Sequence, residues 1–225
     1  MKTFVIQTTA VTFLGLIALG LLLFLPAWTL AYWQAWVFII VFMLSTNAIG
    51  VYLYLKDPAL LARRKKMGFA DQSLTQNIII SIALLSTLAV LVFSAFDHRF
   101  AWSVVPPAIS VLGDALVVLG LFIPFLSFRG NNSYGGATIE VVEDQKVMST
   151  GLYAHIRHPQ YLGNVIMVIG IPLALGSWWG IVVLAIAIPV LAWRILDEEK
   201  LLEKDLTGYK EYEQKVRYRL VPYLW

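Results

Sequence analysis

The chain contains no cysteine. Disulfides, thiol nucleophiles and cysteine-bound metal sites are therefore excluded. Charge is scarce as well: Asp, Glu, Lys and Arg make up 14% of the 225 residues, against roughly 25% in an ordinary soluble domain. Histidine occurs three times, as His98, His155 and His158. The spacing of His155 and His158 suits two metal ligands, but no third histidine or cysteine stands near enough in sequence to complete a set, so no metal site is expected. A phosphate-cradling loop, a dinucleotide glycine fingerprint and a serine elbow are all missing.

What the sequence has in excess is apolar length. It is 59% hydrophobic with a mean hydropathy of +0.74, the composition of an integral membrane protein. The net charge of +3 and a pI near 9.1 fit lysines and arginines that fix membrane orientation rather than a nucleic-acid partner. A span needs about 20 apolar residues, and the runs at 4–25, 33–55, 77–96 and 105–128 qualify. A fifth apolar region, 162–195, is long enough for a hairpin and is interrupted at Gly176-Ser177-Trp178-Trp179-Gly180. Its first arm rises only ~21 Å at 1.5 Å per residue, short of a full crossing. Backbone in lipid must satisfy its own hydrogen bonds, so these segments are expected to be helices. The first run exceeds the 7–15 apolar residues of a signal peptide and is read as a retained span. The expected fold is all-α, a polytopic membrane helical bundle of four spans, a C-terminal helical hairpin and a cytoplasmic amphipathic tail. Residues 1–104 form the N-terminal membrane helices and 105–225 the C-terminal core, in one integrated membrane domain.

Placing successive connections on alternate sides puts all but one of the 17 Lys and Arg residues on one face. The exception is Arg99. By the positive-inside rule the crowded face is cytoplasmic, and both termini lie there. Two longer pieces share that side. The segment 129–160 opens on Gly130-Asn131-Asn132-Ser133, a turn-forming run, and its β-branched Thr138-Ile139-Glu140-Val141-Val142 suggests a short strand. In the tail, Leu201, Leu202, Leu206, Tyr209, Tyr212 and Val216 form an apolar stripe at helical spacing, broken at Thr207-Gly208. This stripe is expected to pack on the membrane or fold back over the loop.

Chemistry-bearing residues gather at the basic face. Arg157-His158-Pro159-x-Tyr161-x-Gly163 stands where loop becomes helix, with Pro159 suited to the first turn. The unpaired N–H groups of a helix start, beside Arg157, favour an anion. The plainer reading is a snorkelling basic helix end with interfacial tyrosines. Gly163 permits the close approach of a helix or a flat ligand. Some 35 residues on, Arg194 and Glu198 are an i, i+4 pair and Glu199 points to the adjacent helix face. The alternative there is a solvated helix extension. A carboxylate at this membrane exit suits an α-amino group or a sulfonium. Arg129, at the end of the fourth span, reads as a substrate-facing arginine or an interface anchor. Asp114 is the single ionisable residue deep in a span, far from the basic face.

These residues resemble the isoprenylcysteine carboxyl methyltransferase and phospholipid methyltransferase group of membrane enzymes. The resemblance is carried by Gly151-Leu152-Tyr153-x-x-Ile156-Arg157-His158-Pro159-x-Tyr161-x-Gly163, by Arg194-x-x-x-Glu198-Glu199-x-Leu201 and by Gly208-Tyr209-x-x-Tyr212-x-x-x-Val216. It covers roughly 110–225. It implies an S-adenosylmethionine cofactor clasped on the cytoplasmic side and a lipophilic or lipidated substrate entering from the bilayer among the membrane lipids. On that resemblance Tyr153, Arg157, His158, Pro159, Tyr161 and Gly163 shape the cofactor pocket. Glu198 and Glu199 hold its amino group or order the site. Arg194 positions an acceptor or pairs with Glu198, and Arg129 and Asn131 lie on the substrate side. Two alternatives remain open. One is a membrane sterol or steroid reductase using NADPH, which shares an Arg-His-Pro-x-Tyr motif but has Asn and Glu where Gln160 and Asn164 stand here. The other is a non-enzymatic membrane protein that keeps the fold. The sequence leaves the oligomeric state undetermined.

Overall fold

The computed structural model describes residues 2–58, 61, 74–130, 147–185 and 187–225, with the backbone alone for 2–5, 128–130 and 187. In chain order the elements are α1 (Lys2–Ala27), α2 (Trp33–Lys56), α3 (Leu74–Phe100), α4 (Pro107–Gly130), a 3-10 turn (Gly151–Ala154), α5 (Pro159–Ala174), α6 (Trp179–Leu184), α7 (Ala187–Asp205) and α8 (Tyr209–Lys215). No strand occurs among the described residues. Five stretches are long and apolar enough to cross a membrane: Ile6–Ala27, Trp33–Lys56, Leu74–Phe100, Pro107–Ser127 and Trp179–Asp205, while Pro159–Ala174 is shorter. The polytopic helical bundle is therefore as expected, including a hairpin with one short arm. The suggested strand at Thr138–Val142 lies outside the described residues.

Local chemistry sets the boundaries. Pro159 begins α5 directly after His158, where a missing N–H costs nothing. Gly176 closes the hairpin turn at φ +72°, a conformation that a Cβ disfavours. Gly208 does the same between α7 and α8 at φ +87°, at the break read from Thr207-Gly208.

The helices α4 and α5 lie unusually close, and four glycines explain why. Gly113 and Gly120 on α4, and Gly163 and Gly170 on α5, each recur after one heptad. A Cβ on Gly113 would overlap the backbone of Leu173 and Ala174, and one on Gly120 the backbone of Met167. On Gly163 it would strike Pro124, and on Gly170 it would strike Gly113 O and Val117 N. In lipid, where tails offer no hydrophobic driving force, such small-residue contact is what holds helices together.

The main core lies toward the face opposite the basic one. There Leu23, Tyr32, Phe38, Val90, Val117, Ile171, Leu175 and Leu184 pack together from six helices and the turns between them. A clasp seals this end. Asp97 is fully buried. Its Oδ1 accepts from Ser103 N–H at 2.7 Å, and its Oδ2 accepts from the Ser103 and Ser177 hydroxyls. Ser177 Oγ in turn accepts from Gly180 N–H, starting α6, at 2.9 Å. Tyr32 donates to Leu175 O at 2.6 Å and stacks on His98 with 3.8 Å between ring centres. The hairpin turn is thus tied to α2 and α3.

Candidate functional site

On the basic face, the chain leaving the 3-10 turn runs extended for a few residues and pairs with the tail. Arg157 N–H donates to Tyr218 O and His158 N–H to Arg219 O, both at 2.9 Å. This pairing drives two basic side chains inward, and only 6% of Arg157 and 3% of His158 remain exposed. A buried cation needs compensation, and Glu199 supplies it. Arg157 Nε stands 2.7 Å from Glu199 Oε1, His158 Nε2 3.1 Å from the same oxygen, and Arg219 Nε 2.7 Å from Oε2. The rest of the Arg157 fork is used as well: Nη2 pairs with Glu213 at 3.1 Å, and Nη1 donates to Val216 O at 3.1 Å. The anion that the basic helix start favours is therefore Glu199 itself. Helix α7, the start of α5 and the tail meet on one carboxylate.

Glu198 faces elsewhere, since neighbours on a helix point about 100° apart. Its Oε2 accepts from the Tyr161 hydroxyl at 2.6 Å, and that same hydroxyl accepts from Arg194 Nε at 3.1 Å. The expected Arg194–Glu198 pair thus has a tyrosine oxygen standing between its members. Arg194 is buried while Glu198 is half-buried. His158 and Tyr161 are joined by ring contact, 5.6 Å between centres, so the two charge groups adjoin each other.

Tyr153 stands in a third place. It lines a cavity of about 450 Å³ with Leu126, Ser127, Thr150, Gly151 and His155. Its carbonyl accepts from Tyr212 OH at 2.7 Å, which fixes the turn to α8. Burial raises the Tyr212 and Tyr209 hydroxyls above their ordinary range, so both stay neutral. Around them Leu206, Tyr209, Tyr212 and Val216 are buried against Leu202 and Val147. The tail's apolar stripe folds back on the end of the loop, one of its two expected placements.

Most of the site residues named from the sequence come together, though in a divided arrangement. Arg157, His158 and Glu199 close on one another. Tyr161, Arg194 and Glu198 form an adjoining relay, and Tyr153 faces the cavity. Gly163, read as admitting a helix or a ligand, admits the helix, being buried against Pro124 and Gly120 of α4. Pro159 is buried at the start of α5. Arg129 ends α4, but its side chain, like Asn131, lies outside the described residues. Asp114 sits on α4 toward the opposite face, 6% exposed, with neither carboxylate oxygen hydrogen-bonded among the described residues. Sequence reasoning missed Arg219 and Glu213. The neighbouring Arg217 is exposed, so residue type and spacing alone did not mark Arg219 as the one that turns inward.

These features define a class: a polytopic helical membrane protein whose buried charges link a short apolar helix, the helix leaving the membrane and the C-terminal tail. Residues 108–207 match the family model of the phospholipid methyltransferases. The chain is also 28% identical over 127 residues to the Delta(14)-sterol reductase TM7SF2 of Mus musculus. That similarity covers 49% of this chain and 29% of the relative, so the chain spans well under half of that protein.

Proposed function

We propose that this protein transfers a methyl group from S-adenosylmethionine to a lipophilic acceptor held in the bilayer, the carboxylate or amine of an amphiphile. The observation that carries the reading is the family match over 108–207, which contains both charge-bearing motifs and the Tyr161–Glu198–Arg194 relay built from them. A zwitterionic sulfonium ligand calls for a carboxylate near its positive groups, a guanidinium near its carboxylate and a recess for its flat base. Half-buried Glu198 and buried Arg194 offer those two charges, and the cavity beside Tyr153 offers a recess whose lining shares no residue with them. The cavity volume also falls within the ~300–1,000 Å³ of small-molecule sites.

When bound, the cofactor supplies an electrophilic methyl open to in-line displacement. The chain's own residues bind and orient. Tyr161 holds the Glu198 carboxylate and the Arg194 guanidinium in register, and their part in this chemistry is charge complementarity rather than proton transfer. The Glu199 cluster with Arg157, His158 and Arg219 keeps α5, α7 and the tail fixed, and positioning to ~3–3.5 Å supplies much of the rate. Pro159 and Gly163 set where α5 starts and how near α4 it lies. A carboxylate acceptor is already anionic and needs no base; an amine must be neutral, which a low dielectric favours. The site lies on the face carrying nearly all Lys and Arg, hence the cytoplasmic one.

The test is equilibrium binding of S-adenosylhomocysteine and of NADPH to the purified protein. Saturable S-adenosylhomocysteine binding that Glu198→Ala weakens supports methyl transfer. Saturable NADPH binding without it supports the second reading, a sterol-type reductase. The similarity to a sterol reductase favours that second reading, whereas Gln160 and Asn164 count against it. Binding of neither would sink both.

A further inference from the structure

Among Lys and Arg the opposite face carries Arg99 alone, and its surroundings are unlike those of the buried cluster. Arg99 is exposed, and among the described residues no carboxylate is paired with it. Its guanidinium carbon lies 5.3 Å from the centre of the Trp28 ring and 5.3 Å from that of Phe100. Trp28 is held at φ +57°, a conformation costly for a bulky residue and kept only where the surroundings impose it. It is 76% exposed. The same tryptophan borders a shallow, open apolar groove of about 680 Å³, lined by α1 from Ile17 to Leu25 and by Thr29 and Leu30.

From Ile17 to Trp28 the groove runs ~16 Å at 1.5 Å per residue, about half the ~30 Å hydrocarbon thickness. It is one leaflet deep, with a cation at its polar end. Gly20 has nothing within 4 Å of where a Cβ would stand, so the groove is open at its middle. The occupant must bring an anion at the interface and an apolar chain below it. A second copy of this chain does not meet that demand. The connections on this side, 28–32, 101–106 and 175–178, hold no Asp or Glu, and Asp97 is buried and already accepts three hydrogen bonds.

We propose that this groove is a binding site for one anionic phospholipid of the leaflet opposite the basic face. Its acyl chain lies against α1 and its phosphate pairs with Arg99 over Trp28. The proposal is independent of the methyltransferase reading, because no residue is shared with that site.

The purified full-length protein in neutral detergent, titrated with dioleoylphosphatidylglycerol or dioleoylphosphatidylcholine and read by native mass spectrometry, tests it. One phosphatidylglycerol should be retained about fivefold more tightly than phosphatidylcholine, the preference that one cation gives at a lipid surface. Arg99→Gln should abolish the preference and Arg99→Lys should keep most of it. Gly20→Phe, at a position where an added Cβ meets nothing within 4 Å, should lose both lipids while the unfolding temperature stays put. Equal retention of the two lipids by the unaltered protein, or a preference that survives Arg99→Gln, overturns the proposal. So does displacement of the lipid by millimolar inorganic phosphate, which would make the ligand a free anion. A dimer that Gly20→Phe converts to monomer would assign the groove to a second copy instead.

Discussion

Two buried carboxylates hold the two ends of this bundle, by different means. Glu199, on the basic face, is met by two arginines and a histidine, Arg157, Arg219 and His158. Asp97, on the other face, is met by neutral donors alone: a backbone N–H and two serine hydroxyls. Both anchor connecting segments to the helices. The partners of Asp97 are six residues away in a short connection and 80 away at the hairpin turn. Those of Glu199 come from segments some 40 residues earlier and 20 later. Sequence distance therefore does not separate the two: short hydroxyls reach Asp97 because both turns close directly on the end of α3, whereas longer arginine and histidine side chains reach Glu199 from the start of α5 and the tail.

The sharpest way to break this comparison is Glu199→Ala. It leaves a buried arginine, a histidine and a half-exposed arginine facing a void, and losing one partner of a buried ion pair costs about 3–5 kcal/mol. Thermal unfolding in detergent should show a large drop, with the tail becoming open to protease. Glu198→Ala separates the neighbours by function. Under the proposed activity it should lower methyl transfer by about 10²-fold, the scale of one lost electrostatic contact in a site, with the unfolding temperature nearly unchanged. Equal destabilisation by both substitutions would merge the two glutamates into one structural role and remove the division drawn between them.

Asp97→Asn should cost less than Glu199→Ala, about 1–3 kcal/mol, because serine hydroxyls can rotate to donate to or accept from an amide. A loss as large as that of Glu199→Ala would show that the carboxylate charge itself matters at that end. Smallest of all is Tyr212→Phe, which removes the bond to Tyr153 O without opening a cavity. Its expected cost is about 0.5–1.5 kcal/mol, with a matching modest change in ligand affinity if Tyr153 lines the cofactor cavity.

Much of this arrangement is legible in the residues themselves. The spans follow from apolar length, the hairpin from Gly176 to Gly180 and the break in the tail from Gly208. Pro159 announces the start of α5. The heptad glycines 113, 120, 163 and 170 are equally visible, yet only Gly163 stands inside a recognisable motif. Taken as a set they foretell the α4–α5 contact, for which small residues are the sequence sign. By contrast, nothing in the spacing of Glu198 and Glu199 says which turns to Tyr161 and which to Arg157. Both are acids at a membrane exit, and a rotation of one helix by about 100° exchanges their surroundings.

The sequence by itself determined that this is a helical membrane protein, which face is basic and which helices carry charge. Those properties depend on local hydropathy and on residue type, which require no knowledge of neighbours. Only the tertiary structure decided that Arg219 completes the Glu199 cluster, that Tyr161 bridges Arg194 and Glu198, and that Arg99 rests on Trp28 at the end of a groove. These are contacts between residues far apart in the chain. They are fixed by how closely α4 and α5 approach and by how the tail returns, and no window of local sequence contains that information.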